Sequence, residues 1–182
     1  MTARNPIAGR SLRRIVVVPA AGDRRRGLII ASGLHARCAL GRSGTSRRKR
    51  EGDGATPAGR FSILAVLYRA DRLPRPLTRL PTASIRPDLG WCDDPAHRRY
   101  NRLVRLPFEA SHERLWRQDH LYDLVAILDY NLPIPQPGAG SAIFLHVAAP
   151  DFAPTAGCIA LAPNVMRRLL AVVGPRTAIE VR

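Results

Sequence analysis

The sequence predicts a mainly β domain with a minority of helix, and three observations carry that reading. Its apolar residues fall in short runs rich in β-branched and aromatic types, proline and glycine separate those runs, and helical spacing is scarce. At 182 residues the chain can bury one core without disulfides or metals, which predicts a single domain over 13–182 behind a flexible segment 1–12. Taken in order, residues 13–19 (RRIVVVP) read as the first strand; the run is too short for a membrane span and imitates only the beginning of a secretory signal. RRGLIIASG and HARCALG follow as strands that pair with it, and GRFSILAVLY is the next. Residues 70–90 are proline-dense and polar, predicting an extended surface excursion. FEASHERLWRQD carries the spacing of one helix. LYDLVAILDY, SAIFLHV and the brief CIALAP return to strand. NVMRRLLAVV has helical apolar spacing and runs into Gly174 and Pro175, which stop a helix, and RTAIEVR closes the chain as a strand.

The formal net charge of +15 invites a nucleic-acid reading. Against it, the basic residues are scattered, Lys49 is the only lysine among them, no aromatics interleave as a stacking platform, and no recognition-helix motif is present, so no specific nucleic-acid partner is expected. Three cysteines leave at least one thiol free in a monomer, and their spacing fits neither a zinc site nor a redox pair. Cys38 lies in a strand-like run as a small hydrophobe, and Cys92 stands beside two carboxylates that raise its pKa. His112, Glu113, Asp119 and His120 cluster in sequence, but their spacing favours structural or substrate-side roles, so no metal is expected.

Chemistry concentrates in HVAAPDFAPTAGCIAL, from His146 to Leu161. A thiol needs a nearby base or cation to become a nucleophile, and a strand ending in His146, a proline-rich loop and a second strand-like run behind Cys158 can bring imidazole and sulfur together. Gly157 can take a backbone geometry closed to other residues, so that its amide and that of Cys158 converge on an oxyanion. The plainer reading of the same residues is a buried thiol and an unrelated strand histidine. Tyr130 and Asn131 end the LYDLVAILDYN run, where they either border a cleft beside His146 or form a turn. The run Arg47 to Arg50, which includes Lys49, is either a solvated charge patch or the source of a cation for the site.

Thr155, Ala156, Gly157, Cys158 and Ile159 with upstream His146 resemble the catalytic signature of the L,D-transpeptidase, or YkuD, family: histidine, a spacer, Ser or Thr, any residue, Gly, Cys, then Ile or Val. Thr56, Pro57, Gly59 and Phe61 resemble the same family's strand entry, and GWCDDPAHRRYN and SHERLWRQDHLYDLVAILDYN extend the similarity from about Arg13 to Arg182, pointing to a bacterial subgroup that carries this domain alone. Ala160 stands where the family usually has arginine, and Ala156 where histidine is frequent. The resemblance implies a curved β-sandwich or barrel with a few peripheral helices. It also implies cysteine-dependent acyl transfer on peptidoglycan stem peptides, with Cys158 as nucleophile, His146 as base, Gly157 at the oxyanion, and Thr155, Tyr130, Asn131, Lys49 and Arg50 on the substrate side. No cofactor is required. The same site would serve a carboxypeptidase or endopeptidase, and the fold alone would serve an inactive wall-binding module. Periplasm or cell envelope is the implied location, although the N-terminal residues carry no clear export signal and leave the cytoplasm open.

Overall fold

The computed structural model describes residues 12–182, so the expected flexible segment lies, apart from Leu12, outside the described residues. In order, the strands are β1 (Arg14–Pro19), β2 (Arg26–Ala31), β3 (Leu34–Ala39), β4 (Thr45–Ser46), β5 (Thr56–Pro57), β6 (Gly59–Tyr68), β7 (Thr82–Ser84), β8 (Leu89–Cys92), β9 (Arg102–Arg105), β10 (His112–Arg114), β11 (Leu124–Leu128), β12 (Phe144–Val147) and β13 (Ile159–Leu161). Helix α1 (Pro163–Val172) and strand β14 (Ala178–Val181) complete the chain.

Nine strands form one sheet in the order β11, β12, β13, β3, β2, β1, β14, β6, β7, and a further pairing of β11 with β6 closes it into a barrel. Strand β6 makes the seam. Its first residues pair with β14, while Ile63 to Tyr68 pair with β11. Closure removes the open edges that a twisted sheet of this size would otherwise expose.

Alternation along the strands sorts side chains into two cores. Leu124, Ala126 and Leu128 of β11, Leu145 and Val147 of β12, and Ile159 and Leu161 of β13 fill the barrel with Ile15, Ile29 and Ile179. Helix α1 adds Met166, Leu169 and Leu170 to this core, opening with a proline in its first turn, where no intrahelical amide bond is lost. The alternate residues Val125, Ile127, Phe144 and Cys158 point outward into a second core. A separate three-stranded sheet, β10, β8, β9, covers it, laying Trp91 edge-on against Phe144 at 5.1 Å between centroids. Side chains such as Phe144 and Trp91 contribute roughly 2–3 kcal/mol each by burial.

Two expectations change here. FEASHERLWRQD forms no helix: His112–Arg114 is strand β10, paired with Gly90 to Cys92. A helix of that length is marginal by itself, and the strand places Leu115 in the outer core. Within 70–90, Thr82–Ser84 adds to β6 in parallel, and Leu80 and Ile85 are buried, so that stretch contributes to the core rather than only skirting the surface.

Candidate active site

The ladder of β12 with β13 sets the site. These strands are parallel, with Leu145 opposite Ile159 and His146 opposite Ala160. Phe144 and His146 share one face because they are two residues apart, and Cys158, just before β13, joins the outer core beside Phe144. His146 and Cys158 therefore line the same cleft, of about 480 Å³.

The thiol is held by backbone: Cys158 S–H donates to Ala142 O (3.2 Å), and the Phe144 amide donates to Sγ (3.4 Å). Burial pushes its pKa up to about 12, and the negative charge of Glu113 adds to the rise. Imidazole Nδ1 of His146 meets Val147 O at 2.8 Å, which assigns the proton to Nδ1. Burial lowers the His146 pKa to about 4, against the opposing pull of the Val147 and Leu121 carbonyls. The resting pair is thus thiol and neutral imidazole, not thiolate and imidazolium. Tyr122 packs edge-on against the His146 ring at 5.2 Å, and its hydroxyl donates to Glu113.

The turn before the nucleophile is tightly tied. Thr155 Oγ1 donates to Cys158 O (2.7 Å) and accepts from the Gly157 amide (3.1 Å). Thr56 Oγ1 accepts from the Gly41 amide (2.8 Å) and reaches the same Cys158 carbonyl (3.4 Å), which gives the Thr56–Pro57 segment its place in the site. The expectation that the Gly157 and Cys158 amides converge on one point is corrected in part: the Gly157 amide is spent on Thr155. Gly157 itself is required by shape, since its φ is 143° and a Cβ there would lie 2.9 Å from Ala55 O. Gly157→Ala is expected to cost about 1–3 kcal/mol and to displace Sγ; thermal unfolding and the rate of Cys158 alkylation read both effects.

The other expected residues divide. Lys49 is drawn inward: Nζ bonds Asp53 Oδ1 (2.7 Å) and Arg50 O (3.1 Å), and it lines the cleft beside Gly157. Arg50 is exposed and outside the cleft lining, its amide held by Asp53 Oδ2. Tyr130 and Asn131 also fall outside the lining. The Tyr130 hydroxyl donates to Ala139 O, and Asn131 is turned onto Gln136 and Gly140, so both polar groups are spent within the loop they brace. Where arginine is usual, Ala160 leaves space, and Arg42 and Arg117 line the same cleft from other elements.

Of the carboxylates and hydroxyls lining the rest of the cleft, its far wall, sequence reasoning singled out Glu113, as structural or substrate-side, and missed Glu51, Asp93, Tyr122 and Ser141. The signal lay in the HER strand and the WCDD segment, where Trp91, Asp93 and Glu113 share a face of the small sheet once β10 pairs with β8. It also missed Asn101, a buried hub: Oδ1 accepts from Trp91 Nε1 (2.9 Å) and the Ala142 amide (3.1 Å), and Nδ2 donates to the carbonyls of Tyr130 (3.1 Å) and Asn131 (2.9 Å). Cys38 and Cys92 are buried away from this cleft, with pKa values raised chiefly by burial. Among the described residues, no group of three or more His, Cys, Asp or Glu side chains is arranged to hold a metal ion.

Fold and site together define a mainly β protein whose barrel wall presents a cysteine and a histidine to one open cleft. The chain belongs to the YkuD family of L,D-transpeptidase catalytic domains, whose profile matches residues 12–181. In structure it is similar to an L,D-transpeptidase from Mycobacterium smegmatis, with a TM-score of 0.41 and 13% identity over 94% of this chain and 59% of that one. This chain thus spans less than two thirds of that protein's length. No curated protein matches the sequence.

Proposed function

We propose that the protein is a cysteine acyltransferase acting on peptidoglycan stem peptides in the cell envelope, with Cys158 as nucleophile and His146 as base. The observation that carries this reading is that thiol and imidazole, set on adjoining parallel strands, open into one cleft in a chain of this family. In the first half-reaction the Cys158 proton passes to Nε2 of His146 as sulfur attacks the carbonyl of an L,D-amide bond. The C–N bond then breaks, the departing amine takes the proton from His146, and a thioester remains. In the second half an amine attacks the thioester carbon, the C–S bond breaks, and the thiol is restored; water in place of the amine would give carboxypeptidase or endopeptidase activity. The Cys158 amide is the donor left for the oxyanion, a contribution of about 3 kcal/mol for a well-placed donor. Thr155 and Gly157 hold that amide in place, and Lys49, whose charge opposes the rise of the thiol pKa, supplies a fixed cation at the turn. No step needs a cofactor. Among the described residues, no helix is long and apolar enough to cross a membrane.

The test is incubation with purified muropeptides followed by mass spectrometry of products and of intact protein. The expected result is a covalent adduct on Cys158 and new cross-linked or trimmed stems, both absent with Cys158→Ser. Unchanged muropeptides and no adduct would leave a wall-binding module as the reading.

A further inference from the structure

Eight of the fourteen acidic residues of this chain stand against basic side chains. Asp23, Asp53, Asp71, Asp88, Glu109, Asp119, Asp123 and Glu180 all stand in ion pairs. Glu51, Asp93, Asp94, Glu113, Asp129 and Asp151 form no ion pair among the described residues, and three of these six, Glu51, Asp93 and Glu113, line the catalytic cleft of a chain whose net charge is +15. The cations of that cleft are already engaged: Lys49 with Asp53, Arg117 with Asp119, and Arg42 with Gly52 O. A basic protein that leaves carboxylates unmatched in a desolvated cleft keeps an uncompensated cost there.

Two buried polar atoms in the same cleft also lack partners. Oδ1 of Asp93 and Oγ of Ser141 make no hydrogen bond, and Ser141 is only 6% exposed. The Tyr100 hydroxyl, which feels Ser141 beside it, already donates to Glu51 Oε2 (2.6 Å) and accepts from the Gly140 amide (2.9 Å). Ser141 directly precedes Ala142, whose carbonyl holds the Cys158 proton. Among the described residues these carboxylates form no group that could hold a metal ion, which leaves an organic cation as the charge they would match.

Resting on the acyl-transfer reading above, we infer that Asp93, Glu113 and Ser141 form the acceptor subsite, which binds the primary side-chain ammonium of an incoming peptide, and that Glu113 is the base that frees its amine. Geometry favours Glu113 for this role. It shares a face of the small sheet with Asp93 and is joined through the Tyr122 hydroxyl to the side of the cleft where the thiol lies. Burial and the charges of Asp93 and Glu51 raise its pKa, which makes it a stronger base than an ordinary glutamate. The ammonium gives one proton to Glu113, the neutral nitrogen attacks the thioester carbon, and a C–N bond forms as the C–S bond breaks. The second nitrogen proton passes through His146 to the departing sulfur, and Glu113 then releases its proton to water.

The experiment uses the intact protein loaded with a donor stem tetrapeptide, and as acceptor an N-acetylated tripeptide carrying one lysine, with its Nε-acetyl form as control. The quantity read is the ratio of amide product to hydrolysed product, which does not depend on how much thioester formed. Glu113→Gln and Asp93→Asn are each expected to lower that ratio at least tenfold, with Glu113→Asp recovering part of it. A second arm titrates both peptides calorimetrically into Cys158→Ser protein. The lysine peptide is expected to bind at least tenfold more tightly than its acetylated form, and that preference to vanish when Glu113→Gln or Asp93→Asn is added. An unchanged product ratio, or equal binding of the two peptides, overturns the proposal. If intact protein forms no thioester, the acyl-transfer reading fails, and the binding arm decides the ammonium subsite by itself. Should Glu113→Gln fail to fold by thermal melting, Asp93→Asn carries both arms.

Discussion

His146→Ala is expected to slow thioester formation on Cys158 by about 10²- to 10⁴-fold, the usual contribution of a positioned base. The loss should be this large because the charge of Lys49 offsets only part of the rise that burial imposes on the thiol. Burial pushes the Cys158 thiol up to about 12, so at neutral pH the proton must leave as sulfur attacks, and in the proposed mechanism Nε2 of His146 accepts it. Intact-mass measurement of adduct formation with a stem tetrapeptide gives the rate. The pH profile supplies a second signature. His146 is neutral in the fold down to about pH 4, against 6.5 for a free imidazole, so the acid limb of kcat/KM attributable to this base should fall well below 6.5. Stability follows the same shift with a definite sign. Between these values the unfolded chain binds a proton that the folded chain refuses, so stability fully present above pH 6.5 is lost as pH falls toward 4, by about 3 kcal/mol. His146→Ala should flatten that part of the stability curve while abolishing activity, a combination that general unfolding would not produce.

Asn101→Ala is expected to destabilise the fold by about 3–4 kcal/mol, lowering Tm by about 10 °C. Asn101 is 1% exposed and makes four hydrogen bonds, to Trp91, Ala142, Tyr130 and Asn131. Truncation strands two donors and two carbonyls in a space too small for compensation. Its φ of 54° adds a second cost, since alanine is poorly suited to that region. Asn101→Asp keeps the acceptor that serves Trp91 and Ala142 but loses the donors, so it should fall between wild type and Asn101→Ala in Tm. Activity should fall with stability in this series, because Ala142, fixed through its amide by Asn101, presents the carbonyl that holds the thiol proton. Calorimetric unfolding together with adduct rates measured well below each Tm separates the two effects.

The central barrel strands were legible because, His146 apart, they are apolar throughout. Leu124 to Leu128 and Phe144 to Val147 are buried on both faces, and such segments read as continuous apolar runs bounded by turn residues. The nucleophile motif was legible for a different reason: Thr155, Gly157 and Cys158 are local, and their hydrogen bonds close within four residues. Most of the far wall was not. HER and WCDD are short, polar and flanked by residues with helical spacing, and only the pairing of β10 with β8, between segments distant in sequence, turns Glu113 and Asp93 toward the thiol. Tyr130 and Asn131 misled for the converse reason. Their position at the end of a strand next to His146 suggested a cleft, but the loop that follows folds back and takes up their polar atoms. Sequence spacing reports which residues can share a face; it does not report which backbone groups will reach them first.

The nucleophile rides on a stave of the closed barrel, whereas the unmatched carboxylates Asp93 and Glu113 belong to a small, separately hydrogen-bonded awning above it. Changes in the awning can retune which molecule is admitted without disturbing the β12–β13 register that places His146 opposite Ala160, two residues on from Cys158. On the acceptor proposal, grafting residues 89–115 onto another barrel of this kind would carry two of the three groups that choose the guest, Asp93 and Glu113, while leaving its host's chemistry in place.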